Sequence, residues 1–258
     1  MRACDDIEHE IFIVDNASED RSVAMLKSEF PQIKLIENKK NEGYSRANNR
    51  ALKMARGEYV LLIDPDTITK RDTIHKAVEF MDKHAIAGGL GVRMVDAQGS
   101  YLPESKRGLT SPWSAFFRLT GLSKMLSKSR LFDRNQKSGT EDEFETAEVD
   151  ILGSAFMLMR RSVLNKVGFL DERFFLYGAD IDLSYRIRQA GFKNYYFPKT
   201  YIIHFKEQSI RKYSMQYLKN YYGAMFIFAG KYMFKLPGLQ LKGIGQQRQY
   251  PAIYEVER

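Results

Sequence analysis

The chain has 258 residues, of which 44% are hydrophobic and 28% charged, enough for one large folded domain with an extension. A net charge of +8 suits an anionic partner, such as a nucleotide, a nucleic acid or an acidic lipid surface. The single cysteine, Cys4, excludes disulfides within the chain and a cysteine zinc cluster. Because we find neither a signal-peptide pattern nor a membrane-spanning apolar run, we expect a cytoplasmic protein.

Short apolar runs alternate with helical patterns through the first 95 residues. Strands are predicted at 10–15, 33–38, 58–64 and 85–96. The intervening segments place apolar residues at helical spacing, for example Val23, Leu26 and Phe30. This order predicts an α/β layer with a mostly parallel central sheet flanked by helices.

The second half of the chain is less regular. The polar segment from 124 to 145 is predicted to be a mobile surface loop. Apolar runs return at "AEVDILGSAFMLMRR", and "KNYYFP" is predicted to be a further strand. The aromatic-rich segment from Tyr213 to Phe234 is predicted to be helical.

Carboxylates follow two of the predicted strands. Asp15 ends the first strand, and Asp64 and Asp66 end the third. Open α/β sheets bind ligands beyond the carboxyl ends of their strands, so these carboxylates are expected at one rim. Hard oxygen ligands at such a rim suit Mg²⁺ or Mn²⁺ bridging a diphosphate. A turn rich in aspartate is the alternative.

Five ordered blocks give the sequence a family resemblance: "IVDNASED", "NEGYSRANNRAL", "GEYVLLIDPDT", "GSAFMLMRRSVLNKVGFLDERFFLYGADIDLSYR" and "YIIH". Together they resemble a family 2 glycosyltransferase of the GT-A fold, of the bacterial rhamnosyltransferase-like kind. The resemblance implies a glycosyltransferase domain over 1–212, with a nucleotide-binding half at 1–95 and an acceptor-side half at 96–212. Residues 213–258 would form a C-terminal aromatic and basic helical extension.

The resemblance assigns donor-site roles to several residues. Asp15 would recognise the nucleotide base, because an acceptor-only side chain suits an imide N–H of uracil or thymine. Asp66 would bind the metal, and Asp64 would face the ribose or the metal's waters. The block after the second strand would approach the nucleotide through Asn41, Gly43 and Asn48, with an ordinary turn and helix start as the alternative.

The resemblance also assigns the catalytic and acceptor sides. Asp180 would be the general base, and Asp182 would lie on the acceptor side or else only pair with Arg186. His204 would approach the metal or diphosphate.

Further residues of the same blocks have weaker assignments. Gly153 and Ser154 would lie beside the donor sugar and acceptor. Arg160 and Arg161 are candidates for phosphate contact or for plain solvent exposure.

Two departures from the family pattern favour an alternative function. Only about nine residues precede the first strand, where the family has a further strand and helix, and Ala179 replaces a usual glutamate. The alternative is therefore a catalytically impaired nucleotide-sugar-binding or assembly protein. Truncation of the chain, a misassigned start, or a strand supplied by a partner would each account for the missing strand.

The expected activity is inverting, divalent-metal-dependent sugar transfer from a UDP- or dTDP-linked donor to a hydroxyl of a bacterial surface glycan or lipid-linked acceptor. Mn²⁺ or Mg²⁺ is the expected cofactor, and no nucleic-acid partner is expected, because no recognition module is present. The C-terminal segment is left with three alternatives: peripheral contact with the inner face of the membrane, packing on the domain, or formation of a homodimer.

Overall fold

The computed structural model describes residues 2–4, 6–107, 143–205 and 215–232. The predicted mobile loop at 124–145 lies almost wholly outside these residues. After a 3-10 turn at Arg2–Cys4, the elements are β1 (Phe12–Asp15), α1 (Ser22–Glu29), β2 (Lys34–Glu37), α2 (Tyr44–Met54), β3 (Tyr59–Ile63), β4 (Thr67–Thr69), α3 (Thr73–Lys83), β5 (Ala87–Val95), α4 (Glu104–Arg107), β6 (Ala147–Val149), β7 (Phe156–Arg160), α5 (Arg161–Val167), α6 (Ala179–Gln189), β8 (Lys193–His204) and α7 (Met215–Tyr232).

These strands form two sheets. β1 and β2 pair in parallel as a separate two-stranded sheet. The larger sheet has six strands in the order β3-β7-β5-β8-β4, and β6 also pairs with β8. Within the described part of the chain, β1 has no partner strand on the side away from β2, and β3 has none on the side away from β7.

The α/β layering agrees with the sequence prediction, but the strand directions are mixed rather than mostly parallel. β5 and β8 pair in parallel, whereas the β3–β7, β5–β7, β4–β8 and β6–β8 pairs are antiparallel. The prediction rested on the alternation of strands and helices in the first 95 residues. Instead β7, which comes much later in the chain, lies between β3 and β5 and runs against both. The carboxyl ends of β3, β5 and β8 therefore still share one rim.

The core lies around the larger sheet and its helices. Two clusters of fully buried apolar side chains include residues from β3, β5, β7, α5 and α6. Helix α7 joins the first cluster through its buried side chains Tyr221, Ala224, Met225 and Phe228. The predicted C-terminal helix is thus present, and one face of it packs on the domain.

The β1–α1–β2 segment is packed less tightly. Helix α1 buries no residue, so the predicted inward positions Val23 and Leu26 are only partly covered. Of the four residues of β1, only Asp15 is buried. Apolar runs of this kind are typical of strands covered on both faces, and the described residues supply only part of that cover.

Candidate active site

The ends of β3, β4 and β8 bring three potential metal ligands together. β4 pairs antiparallel with the end of β8, with Thr67 opposite His204, which places Asp66 beside the imidazole. The Nε2 atom of His204 lies 3.2 Å from Oδ1 of Asp66. One ligand atom from each of Asp64, Asp66 and His204 lies within 4.8 Å of the others. Asp64 and Asp66, expected at the rim from their strand end, therefore lie beside His204, which the resemblance assigned. Asp15, expected at the same rim, instead ends β1 of the separate two-stranded sheet.

The chemistry of this trio fits a divalent cation. Oδ1 of Asp66 and Nδ1 of His204 are shielded from solvent and have no hydrogen-bond partner among the described residues. Burial raises the pKa of Asp64, and the negative charge of Asp66 raises it further, while His204 lowers it. Two neighbouring carboxylates share His204 as the one imidazole beside them, and a bound cation would offset the remaining repulsion between them. Two carboxylates and an imidazole are ligands that Mn²⁺ accepts, and the carboxylates suit Mg²⁺.

Asp64 also lines a cavity that contains Asp180. Asp180 lies in the first turn of α6, where the backbone N–H groups of Asp180 and Ile181 favour its ionised form. Burial outweighs them and, together with the charge of Asp64, raises the pKa of Asp180 to about 6. A carboxylate with that pKa is suited to accepting a proton near neutral pH.

Aromatic side chains supply much of the remaining lining. Besides Asp64 and Asp180, the cavity is lined by Tyr44, Ser154, Tyr177 and Tyr221. Ser154 lies where the resemblance expected an acceptor-side residue. Sequence reasoning missed the three tyrosines, which come from the start of α2, the loop before α6, and α7. Tyr44 and Tyr177 fall inside quoted family blocks, so a search of those blocks for aromatic neighbours of the carboxylates could have found them.

A hydrogen-bonded asparagine network joins the end of β1 to the loop after β2. Nδ2 of Asn16 donates to Oδ1 of Asn41 at 2.9 Å. Oδ1 of Asn16 accepts from the backbone of Glu42 at 2.9 Å and from the side chain of Asn38 at 3.1 Å. Oδ1 of Asn41 also accepts from the backbone of Gly43 at 2.9 Å. Asn16, which sequence reasoning did not select, therefore fixes the loop that contains Asn41 and Gly43.

Asp15 lies just before this network and is buried. Its two carboxylate oxygens accept the backbone N–H of Ser18 at 3.3 and 3.2 Å. In the turn between Asp15 and Ser18, Ala17 has a φ of 66°, in the left-handed region that non-glycine residues rarely adopt. A tight turn thus orients the Asp15 carboxylate, and its base-recognition role stays a prediction.

Gly43 lies where α2 meets the loop before α6. Its φ is 82°, and a Cβ atom there would lie 2.6 Å from the Phe175 side chain and 2.6 Å from its carbonyl oxygen. The backbone N–H of Tyr44 donates to that carbonyl at 2.6 Å, and the Ser45 hydroxyl donates to the carbonyl of Phe174 at 2.6 Å. Only glycine fits this approach. The close contact places Tyr44 in the cavity wall.

Asn48 and Gly153 have local partners. Nδ2 of Asn48 donates to the carbonyl of Tyr44 at 2.9 Å. A Cβ atom at Gly153 would lie 3.3 Å from the end of the Met94 side chain. Their assignments to the donor nucleotide and to the sugar side stay predictions.

Asp182 is fully buried, and both of its oxygens have partners. Oδ2 accepts from Nε of Arg186 at 2.8 Å, while Oδ1 accepts from Nζ of Lys231 at 2.6 Å and from the hydroxyl of Tyr232 at 2.7 Å. The alternative that Asp182 pairs with Arg186 is therefore present. These contacts join α6 to α7, and the acceptor-side assignment of Asp182 stays a prediction.

Arg160 and Arg161, candidates for phosphate contact, bind helix ends in this structure. Arg160 Nη2 donates to the carbonyl of Met81 at 2.7 Å. Arg161 donates to the carbonyls of Leu52 and Ala55 at 3.0 and 2.7 Å. Cations at helix carboxyl ends stabilise unpaired carbonyl groups and the helix dipole. Both guanidinium groups thus have a structural use.

Comparison with known proteins identifies the family. Residues 3–168 match the family model described as "Glycosyl transferase family 2". The chain belongs to this family. Its members are glycosyltransferases, and the enzyme class predicted from the sequence blocks is confirmed.

Curated relatives confirm the rhamnosyltransferase-like character. The chain is 26% identical over 233 residues to N-acetylglucosaminyl-diphospho-decaprenol L-rhamnosyltransferase of Mycobacterium tuberculosis, covering 84% of this chain and 73% of the relative. It is 25% identical over 178 residues to rhamnosyltransferase WbbL of Escherichia coli, covering 66% of this chain and 64% of that protein.

Solved structures confirm the GT-A fold. GalNAc-T7, determined with UDP, GalNAc and Mn²⁺, superposes with a TM-score of 0.58 at 17% identity, covering 84% of this chain and 41% of that one. TarS of S. aureus superposes with a TM-score of 0.55 at 18% identity, covering 89% of this chain and 35% of that one. The chain thus spans less than half the length of these two structures. Among the described residues, no helix is both long and apolar enough to cross a bilayer.

Proposed function

We propose that the protein catalyses inverting, divalent-metal-dependent sugar transfer from a UDP- or dTDP-linked donor to a hydroxyl of a bacterial surface glycan or lipid-linked acceptor. One observation carries this proposal. Asp64 belongs both to the trio with Asp66 and His204 and to the cavity that contains Asp180. A site for the donor diphosphate and a site for the attacking hydroxyl would therefore adjoin each other.

The reaction is a single displacement. The acceptor oxygen attacks the anomeric carbon from the face opposite the diphosphate, the bond from that carbon to the diphosphate oxygen breaks, and Asp180 takes the hydroxyl proton. Asp66 and His204 would hold Mn²⁺ or Mg²⁺, with Asp64 beside them. A cation there would neutralise charge on the departing diphosphate.

Relatives support the acceptor class. The Mycobacterium tuberculosis relative is named for an acceptor in which N-acetylglucosamine is attached through a diphosphate to decaprenol. Besides Met215, the exposed face of α7 carries Tyr222 and Phe226, with Lys219 also exposed. Such a face suits peripheral contact with an anionic membrane surface, where a lipid-linked acceptor resides.

The test is a transfer assay with Asp180→Asn. Wild-type protein is incubated with UDP- and dTDP-sugars, octyl glycoside acceptors and Mn²⁺, and NMR reads the anomeric configuration of the product. We expect inversion, no product in a chelator, and a roughly 10²–10⁴-fold loss of rate in Asp180→Asn. Glu79→Gln, which removes an exposed carboxylate on α3, is the matched control and should keep its rate.

The same assay separates the second candidate, a catalytically impaired nucleotide-sugar-binding or assembly protein. Ala179 favours it, because this alanine lines the cavity beside Asp180 where the resembling family has a carboxylate. That candidate predicts metal-dependent nucleotide binding without turnover by the wild type. A fully active Asp180→Asn enzyme would instead contradict the base assignment.

A further inference from the structure

Helix α7 reaches the cavity through Tyr221. This side chain is only 6% exposed, and it lines the cavity together with the half-buried Tyr177 from the loop before α6. The two rings are 5.5 Å apart at an angle of 67°, an edge-to-face contact. Tyr177 precedes Asp180 by three residues, so this aromatic pair lies on the wall that carries the candidate base.

The other end of α7 is fixed by buried charge. Lys231 follows Tyr221 by ten residues, close to three helical turns. Its Nζ atom donates to Oδ1 of Asp182 at 2.6 Å and to Oδ2 of Asp171 at 2.9 Å. Burial favours a raised pKa for Asp171, but hydrogen bonds from Arg173 and Lys231 outweigh it and hold the pKa well below its usual range. This anchoring keeps α7 from sliding against the domain, and it therefore fixes the position of Tyr221 in the cavity wall.

The lining of the cavity favours an acceptor sugar over the donor diphosphate. It contains Asp180 and the aromatic pair, and of the trio that would hold the metal only Asp64 borders it. A pyranose ring has one face of C–H groups with partial positive charge, and an aromatic face carries partial negative charge. A sugar packed on the rings could direct a hydroxyl toward the carboxylate.

From this arrangement we infer that Tyr177 and Tyr221 form the binding subsite for the pyranose ring of the acceptor, so that the C-terminal helix sets acceptor affinity. The inference rests on the proposed function, because it places the acceptor beside the base of that reaction. It makes the C-terminal helix part of the site.

The test measures the binding of pyranosides directly, without turnover. Calorimetry follows four methyl pyranosides, those of N-acetylglucosamine, galactose, mannose and rhamnose, added to the full chain with UDP or dTDP and Mn²⁺. A methyl group is too short to bind the exposed apolar face of α7, so only the sugar ring is tested. The variants Tyr221→Leu and Tyr177→Leu remove an aromatic face while keeping an apolar side chain. We expect about threefold to tenfold weaker binding of the preferred pyranoside in each.

Two variants serve as matched controls. Tyr221→Phe keeps the ring, and Phe226→Leu makes an aromatic-to-leucine change on the same helix at a side chain that is 76% exposed. Both should bind the pyranoside within twofold of wild type, and all four variants should keep nucleotide affinity. A melting curve checks the fold of each. If Tyr221→Leu does not fold, the result for Tyr177→Leu alone tests the inference.

Three results would overturn the inference. They are wild-type protein that binds none of the four pyranosides, leucine variants that bind as tightly as wild type, and an equal loss in Phe226→Leu. Loss of the proposed function has a different signature, namely the absence of metal-dependent nucleotide binding. The pyranoside comparison stays readable in that case.

Discussion

Helix α1, on the predicted donor side, buries no residue, whereas α7, on the proposed acceptor side, buries Tyr221 and Phe228 among others. Their ion pairs differ in the same way. Lys27 of α1 pairs with Glu37 of β2, and the two side chains are 58% and 47% exposed. Lys231 of α7 pairs with Asp182, which has no exposed surface. Exposed pairs are screened by water and contribute little, while partners of a buried charge are costly to remove.

The two sides of the candidate site are therefore fixed by different kinds of contact. The proposed acceptor side, formed by α6 and α7, is fixed by buried apolar contacts and paired charges. The β1–α1–β2 segment is fixed mainly by the asparagine network at the carboxyl end of β1. We therefore expect most of the stability to come from the larger sheet and its helices, and bound nucleotide to add stability to the β1–α1–β2 segment.

The largest expected effect is that of Asp182→Ala. Removing this carboxylate leaves Lys231, Arg186 and the Tyr232 hydroxyl without a shared partner, and should lower the free energy of unfolding by about 3–5 kcal/mol. Lys27→Met, which breaks the exposed pair on α1, should cost about 0–1 kcal/mol. Urea denaturation measures both. Equal losses would contradict the contrast between the two regions.

A leucine in each region gives the next comparison. Leu183 of α6 is completely buried, and Leu26 of α1 is partly exposed. Leu183→Ala should cost about 2–5 kcal/mol, because it opens a cavity in a close-packed core. Leu26→Ala should cost roughly 1 kcal/mol, because less apolar area is lost. Urea denaturation midpoints check the pair, and a larger loss in α1 would show that its packing is tighter than the structure indicates.

Asp180→Asn should stabilise the protein while it slows transfer. Because burial raises the pKa of Asp180 to about 6, its folded form holds a proton more readily than the unfolded chain. Its ionisation therefore lowers stability as the pH rises from about 4 to 6, and the full loss persists above that range. In a chelator at pH 8, Asp180→Asn should be more stable by up to about 3 kcal/mol, with little difference at pH 4.

The transfer rate should follow the opposite course. Because the base must be ionised, the wild-type rate should increase with pH and reach half of its plateau near pH 6. A pH profile of transfer measures this midpoint. A rate independent of pH between 5 and 7 would contradict the role of Asp180 as the base. For the stability measurement, an Asp180→Asn protein less stable than wild type at pH 8 would contradict the burial of the Asp180 carboxylate.

The smallest expected effect lies in the turn after β1. Ala17 has a left-handed φ of 66°, which costs an alanine about 1 kcal/mol or more. Glycine removes that strain but increases the entropy of the unfolded chain by a comparable amount. Ala17→Gly should therefore raise stability by no more than about 1 kcal/mol. A clear loss of stability in thermal unfolding would mean that contacts of the Ala17 methyl group stabilise the fold.

The approach of Asp64 and Asp66 was predictable from sequence because both follow a strand end, whereas His204 was assigned by the family resemblance. Asp64 and Asp66 follow β3, and His204 ends β8, so any fold that places these ends on one rim brings them together. Strand direction was less predictable. β7 occupies a place between β3 and β5 that alternation along the first half does not indicate.

The aromatic side of the cavity was not predictable for a different reason. Tyr44, Tyr177 and Tyr221 come together only because α2, the loop before α6 and α7 pack against one another. Tyrosines at such positions are equally typical of an ordinary core. The contact between Asp182 and Lys231 was not predictable either. Lys231 lies 49 residues further along the chain, in a helix whose packing the sequence did not determine.

The most direct test of the central claim is calorimetric binding of UDP and dTDP, with and without Mn²⁺, to the wild type, Asp66→Asn and Glu79→Gln. We predict that one nucleotide binds wild type and Glu79→Gln only when Mn²⁺ is present, and that Asp66→Asn weakens this binding at least tenfold, about 1.4 kcal/mol. Equal binding with and without Mn²⁺, or binding unchanged in Asp66→Asn, would contradict a metal–diphosphate site at the rim of the sheet.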